Sequence, residues 1–318
     1  MTRDIIAILS SDLHLSHKPP AARCTEKNWY QAQSRLLRQV SALQDSYGVP
    51  WVIAGDIFDD GWRPHKCPPE LVNLALEHID RAFAVVGQHD IPFHNLKDIK
   101  RSAYWTLVLA GKLTDLSYGE PVTISGANPV RLHGFPWGTP LKHCWDPNDL
   151  MVEVAVVHHY CWVEGHGFPG ADIADRADKL ANTLKGYDVA VFGDNHSPVR
   201  LKPTVPGRPL IFGPGGFQRR RRDEMGHRPS VGLLRADGSV GRHYLDVNAD
   251  VFADAQETAH ALAAGTIDTS AVIEELNQAA DADLDFAEAL RAALRKQPDL
   301  STGVRRWVLS ALDGETGR

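Results

Sequence analysis

Five short motifs carry aspartate, histidine or glutamine in one fixed order along the chain. They are Asp12-Leu13-His14, Gly55-Asp56-Ile57-Phe58-Asp59, Gly87-Gln88-His89-Asp90, His158-His159 and Gly193-Asp194-Asn195-His196. Carboxylate oxygens and neutral imidazoles are the ligands that hold hard divalent metals, and a pair of such metals activates water against phosphate esters. A two-metal centre needs one shared carboxylate and private ligands on each side. Asp12, His14, Asp56 and His196 would serve one metal; Asp56, Gln88, His158 and Asp194 would serve the other, with Asp56 as the bridge. Cysteine is missing from the set, which argues against a structural zinc site and for an oxygen-rich site suited to Mn2+, with Mg2+, Fe2+ or Zn2+ as alternatives. Asp59 is placed to accept from a ligand histidine and fix its tautomer, and Asp90 to do the same for His89. Taken singly, each motif reads as readily as an exposed loop, a turn or a packed imidazole; their joint occurrence in order is what makes a site. His159 remains an alternative to His158 as the ligand.

The elements that must position these groups alternate between strand and helix. Apolar runs at 5–9, 51–54, 83–86, 130–133, 152–157 and 188–192 read as buried strands, most of them ending at a motif. Metal-liking side chains therefore fall at strand ends, where open α/β sheets place their ligand sites. Helical spacing appears at 29–47, 70–79, 99–110 and 174–184, with Pro69 opening the second helix and Gly48 and Gly111 closing the first and third. Antiparallel strands are expected at 209–212, 231–234 and 242–245. Beyond residue 248 the composition shifts to Ala, Asp, Glu and Leu, with candidate helices at 252–264, 270–279, 286–296 and 304–312. The expected organisation is a catalytic domain over 1–248 and a helical appendage over 249–318.

Composition limits the classes of function. No apolar run reaches the roughly 18 residues of a membrane span, so no contact with a membrane is expected. The start leads directly into the first strand and is too short for a signal peptide. Cys24, Cys67, Cys144 and Cys161 are scattered and form no C-x-x-C pair, so a disulfide framework is not expected and a reducing cytoplasm is. The net charge of −6 is uneven: residues 249–318 hold 13 acidic and 6 basic side chains, a balance of −7, which leaves +1 for residues 1–248. A globally basic nucleic-acid binder is excluded, and a local basic face is not.

Taken together, the motifs resemble the calcineurin-like metallophosphoesterase family, whose pattern is D-x-H, G-D-x-x-D, G-N-H-D/E, a later histidine, and G-H-x-H. The resemblance covers about residues 4–245. It implies a four-layer α/β/β/α sandwich, two mixed sheets flanked by helices, with the 249–318 segment as a small helical appendage. It also implies that His89 is no permanent ligand but contacts the scissile phosphate and helps the leaving group, with Asp90 orienting it. Two positions depart from the pattern. Gln88 stands where the family usually has Asn, and Asp194 where it usually has His. Both fall on the same metal, so the pair is either compensatory or marks that metal as the labile one.

Within the family, the segments Ser11–Leu15, Gly87–Pro92, His133–Gly138 and Gly193–His196 are most similar to the SbcD-like DNA exonuclease branch, in its phage and prophage forms. That branch implies a DNA substrate, a role in DNA repair or processing, an SbcC-like ATPase partner docked through the C-terminal helices, and a homodimer. Arg219, Arg220, Arg221 and Arg222 follow a glycine turn and would supply guanidinium forks for DNA phosphates, unless they form a solvated turn paired to Asp223 and Glu224. Trp62, Trp137 and Trp162 follow motif strands and would stack on bases or cover the core. Rival readings are a phosphodiesterase or phosphatase acting on a small nucleotide or phosphoprotein, and a non-catalytic DNA-binding subunit with a degenerate metal site.

Overall fold

The structure is a computed structural model that describes residues 4–265 except Asp149. Among the described residues, twelve strands form two six-stranded mixed sheets. In the first, β1 (Ile5–Ser10), β2 (Trp51–Ala54), β3 (Ala82–Val85) and β4 (Leu113–Asp115) run parallel, and β11 (Ser230–Arg235) and β12 (Val240–Tyr244) extend the sheet antiparallel beyond β1. In the second, β6 (Val130–Phe135), β7 (Val152–His158), β8 (Val189–Gly193) and β10 (Leu210–Gly213) are parallel. Its two edges are the antiparallel strands β5 (Val122–Ile124) and β9 (Val199–Leu201).

The apolar runs are continuous because both faces of each central strand are covered. Successive side chains point to opposite faces, so one run feeds two cores. From β1 and β2, Ala7, Leu9, Val52 and Ala54 meet Val154, Val156, Val189 and Val191 of the other sheet in a shared interior. Ile8, Trp51 and Ile53 face the opposite way, toward α1 (Trp29–Tyr47), α2 (Pro69–His78) and α3 (Ala103–Leu109). On the far side, Ala155, Val157, Ala190 and Phe192 pack against Leu180 and Ala181 of α4 (Ala177–Thr183). These layers make up the expected α/β/β/α order. Asn28 caps α1 by accepting from the Gln31 N–H at 3.0 Å, and the helix stops at Gly48, whose φ of 68° is left-handed.

Local departures have local causes. The single helix expected at 99–110 is a 3-10 stretch over Leu96–Arg101 followed by α3, because Ser102 turns extended and its Oγ accepts from the Trp105 N–H, starting a fresh helix. Strands β4, β5 and β9 are three residues each, too short to show a period. The compact unit continues to Thr258. Asp250, which composition groups with the appendage, pairs with Arg23 at 3.0 Å and Arg219 at 3.0 Å, and the Ala253 N–H donates to Ala22 O at 2.9 Å. Of the appendage helices, α5 (Ala255–Gly265) is described; those expected at 270–279, 286–296 and 304–312 lie outside the described residues. Among the described residues, no helix is long and apolar enough to cross a membrane.

Candidate metal centre

The carboxyl ends of β1, β2 and β3 and of β7 and β8 converge, and each delivers its motif to one cluster. The chain must turn sharply as it leaves a strand to aim the ligand inward. Asp12, His14, Asp56 and Asp194 accordingly have φ of 52°, 44°, 51° and 79°. This is the left-handed region, costing about 1–3 kcal/mol per non-glycine residue, and it persists only where the surroundings enforce it. Here backbone bonds do so: the Asp12 N–H donates to Gly55 O at 3.0 Å and the His14 N–H to Asp56 O at 2.9 Å. The motif glycines make room for neighbouring ligands. A Cβ on Gly87 would stand 2.0 Å from Asp56 Oδ1, and one on Gly55 would stand 2.1 Å from His158 Nδ1.

One half of the cluster is formed by Asp12, His14 and His196. Asp12 is buried; its Oδ1 accepts from the Asp194 N–H at 2.9 Å, and its Oδ2 has no hydrogen-bond partner. The Nε2 atoms of His14 and His196 face each other at 2.9 Å, and His14 Nε2 lies 3.6 Å from Asp56 Oδ2. Burial lowers the pKa of both histidines, which favours the neutral form that binds metal. Behind them, Asp59 Oδ1 lies 3.3 Å from His14 Nδ1 and 2.8 Å from Arg220 Nη1. Burial alone would raise the Asp59 carboxyl, but His14 and Arg220 hold it well below the usual carboxylate range. Of the cluster's histidines, it is thus His14 that Asp59 stands against.

The other half is formed by Gln88, His158 and Asp194. His158 is fully buried; Nδ1 lies 2.7 Å from Ala54 O, and Nε2 lies 2.7 Å from Gln88 Oε1 and 3.3 Å from Asp56 Oδ2. Gln88 Nε2 donates to Asp194 Oδ1 at 2.8 Å. Burial opposes a charge on His158, but Asp56, Asp12 and Asp194 outweigh it and push its pKa up to about 10. His159 is turned away, paired with Asp175 at 2.7 Å, so it is His158 that meets Asp56.

Asp56 joins the halves. Its Oδ1 accepts from the His89 N–H at 3.0 Å, and its Oδ2 lies between His14 and His158. Burial would raise this carboxyl too, yet His158 and His14 hold it below the usual range. Candidate ligand atoms fall within 4.8 Å of one another in three overlapping sets: Asp12, His14 and His196; His14, Asp56 and His89; and Asp12, Asp56 and His158. The unpartnered Asp12 oxygen, the facing imidazole nitrogens and the shared carboxylate fit a pair of hard divalent cations.

His89 lies beside this cluster, its ring 5.0 Å from that of His14. Its Nδ1 donates to Asp59 O at 2.8 Å. The expectation that Asp90 orients His89 differs from the geometry. The buried Asp90 carboxylate accepts from the N–H groups of Ile57 (3.2 Å), Phe58 (2.9 Å) and Gly87 (3.1 Å), tying the loop after β2 to the loop after β3. Three convergent backbone donors outcompete one imidazole for the same oxygens.

The four arginines also separate. Arg219 bonds inward to Asp250 at 3.0 Å and Val247 O at 2.7 Å, and Arg222 bonds to Ala253 O. Arg221 is exposed and paired with Asp223 at 2.7 Å. Arg220 alone among them reaches the metal cluster, through Asp59. Sequence reasoning missed Gln218, whose buried Nε2 donates to Leu13 O at 2.6 Å, and the Phe217 N–H, which donates to Asp12 O at 3.2 Å. These bonds clamp the first motif. The only hint was their position between the Gly215-Gly216 turn and the arginine run.

Residues 7–198 match the calcineurin-like phosphoesterase family. The match spans more than half of the 318 residues, and the chain belongs to that family. Its members hydrolyse phosphoesters with a dinuclear divalent metal site. No curated protein sequence matches the chain. Similar solved structures include the sulfate thiohydrolase SoxB of Thermus thermophilus in complex with glycerol, at 14% identity and TM-score 0.47, covering 81% of this chain and 60% of that one. Another is the calcineurin-like phosphoesterase YfkN from Bacillus subtilis, at 12% identity and TM-score 0.42, covering 85% and 99%. A third is a 5′-nucleotidase precursor from Thermus thermophilus, at 14% identity and TM-score 0.41, covering 84% and 59%. The chain thus spans about 60% of the length of the first and third of these proteins.

Proposed function

We propose that this phosphoesterase is a Mn2+-dependent DNA nuclease of the SbcD-like type. The observation that carries the chemistry is Asp56 Oδ2, held between His14 and His158 so that one carboxylate serves two ligand sets free of sulfur. Two divalent metals, held by Asp12, His14 and His196 on one side, by Gln88, His158 and Asp194 on the other and by Asp56 in common, would activate water and neutralise the phosphate. Asp59 keeps His14 oriented through Nδ1. His89 donates from Nδ1 to Asp59 O, so Nε2 is the nitrogen left to face the phosphate, where the ring in its imidazolium form would give the Nε2 proton to the leaving oxygen. Arg220 brings a positive charge to the same edge, where an anionic diester would enter.

The DNA reading is supported by the four sequence segments shared with the SbcD-like branch. End-labelled single- and double-stranded DNA, assayed with Mn2+, Mg2+ or EDTA, tests it. Cleavage is expected with Mn2+ and is abolished by EDTA. Hydrolysis of an aryl phosphodiester or a 5′-mononucleotide, with both DNA forms left intact under the same conditions, overturns the nuclease reading and leaves a small-molecule phosphoesterase.

A further inference from the structure

A row of aromatic rings borders the loop that carries His89. Gly61 donates from its N–H to His89 O at 3.0 Å, which sets Trp62 directly beside the catalytic loop. The Trp62 ring packs against Phe93 with centroids 4.7 Å apart, and the Arg63 guanidinium lies 4.7 Å over Trp62. His94 and Trp137 form a second pair at 5.5 Å, and the Trp137 N–H donates to Val86 O at 3.1 Å, next to Gly87 and Gln88. The two pairs join through consecutive residues Phe93 and His94, whose φ are 51° and 54°. Phe93 is 63% exposed, so core packing does not account for it. A bulky residue in the left-handed region, with its ring in water, is costly twice over: in backbone conformation and in lost burial. Such outliers concentrate where a ligand is held.

We infer that Trp62 and Phe93, with His94 and Trp137 beside them, form an aromatic ledge that stacks an unpaired nucleobase of the nucleotide next to the scissile phosphate. The inference rests on the nuclease reading above and adds to it the part of the substrate this side of the site holds. Every base offers a π-face, so stacking grips DNA without reading its sequence. Arg63 reinforces Trp62 from above and supplies a cation for the adjoining phosphate. Because the ledge starts at His89, the stacked base belongs to the nucleotide on the leaving side.

The test compares two Mn2+-loaded assays on a short single-stranded oligonucleotide: one intact, the other with an abasic residue on the leaving side of the cleaved bond. The wild type is expected to prefer the intact strand by roughly tenfold in kcat/KM, carried mainly by KM. Phe93→Gly, which suits a positive φ and removes the ring, and Trp62→Leu should bring that ratio close to one. Phe93→Tyr should restore it. Equal rates on the two strands by the wild type, or a ratio untouched by Phe93→Gly and Trp62→Leu, overturns the ledge while leaving the nuclease reading in place. No cleavage of either strand, with an aryl phosphodiester still hydrolysed, overturns the nuclease reading itself.

Discussion

Around Asp56, the half built from Asp12, His14 and His196 leaves one carboxylate oxygen unpartnered and joins its two imidazoles to each other, whereas the half built from Gln88, His158 and Asp194 links all three side chains in one run of hydrogen bonds. In the first, Asp12 Oδ2 is buried without a partner and two imidazole nitrogens face each other. The orienting contacts come from behind, through Asp59 and the Asp194 N–H. In the second, Gln88 spends its oxygen on His158 and its amide on Asp194. A hydrogen bond to a charged group contributes about 1.5–3 kcal/mol, so a metal entering this half must replace real stabilisation. Protonation differs in the same sense: burial keeps His14 and His196 toward neutral, while carboxylates hold His158 toward the cation. The two departures from the family pattern are therefore one feature. The longer stem of Gln88 reaches the carboxylate of Asp194, and each makes sense of the other.

Asp56 is common to both halves, so its loss is the harshest way to break the contrast. Asp56→Asn should weaken both metals and lower kcat by about 10³-fold. Metal content per chain after dialysis, measured beside turnover, checks this; one metal retained at full affinity would show that Asp56 is private to the other.

The proton on His158 sharpens the contrast more quantitatively. A metal binds neutral imidazole, so uptake in the second half must release that proton. Between about pH 7 and 9 its apparent affinity should rise by about tenfold per pH unit, whereas the first half, with histidines already lowered below 6.5, should be nearly flat. Calorimetric titration in buffers of different ionisation enthalpy counts the protons directly. The same shift acts on the chelated protein. A histidine raised from 6.5 to about 10 stabilises the fold fully below pH 6.5 and loses that contribution as pH climbs through about 10. Chelated protein that gains thermal stability over this window would contradict the assignment.

The smallest expected change tests whether the two departures work as a pair. Gln88→Asn together with Asp194→His removes the internal hydrogen bond and should tighten the second metal by about tenfold, leaving the first unchanged. The single replacements should not add up to the double, because each strands the other's partner. Additive effects would mean that Gln88 and Asp194 are independent.

Much of this was legible in the residues. The apolar runs that fill two cores at once, the caps at Asn28 and Gly48, and the five motifs with their order all lie in the sequence. They specify strands, the breaks between them and the supply of ligand-type side chains at strand ends. Asp90 shows what was not legible. Its type and its place beside His89 suit an orienting carboxylate, but it is taken by three backbone donors from loops folded around it. The arginine run shows the same: four identical neighbours divide between inward bonds, an exposed turn and the metal cluster.

By itself, the sequence determined the central strands and most of the helices, though not the three-residue strands β4, β5 and β9 or the break at Ser102, because periodicity and capping are local properties, and it determined which chemistry was on offer, because ligand type is a property of the side chain. Only the tertiary structure decided that His158 and not His159 meets Asp56, that Gln88 binds Asp194, and that Arg220 alone of its run reaches the centre. Those outcomes depend on distances between residues as far apart as Gln88 and Asp194, and on the left-handed turns that aim Asp12, His14, Asp56 and Asp194 inward. Such turns cost energy locally and are held only by contacts the assembled sheets provide.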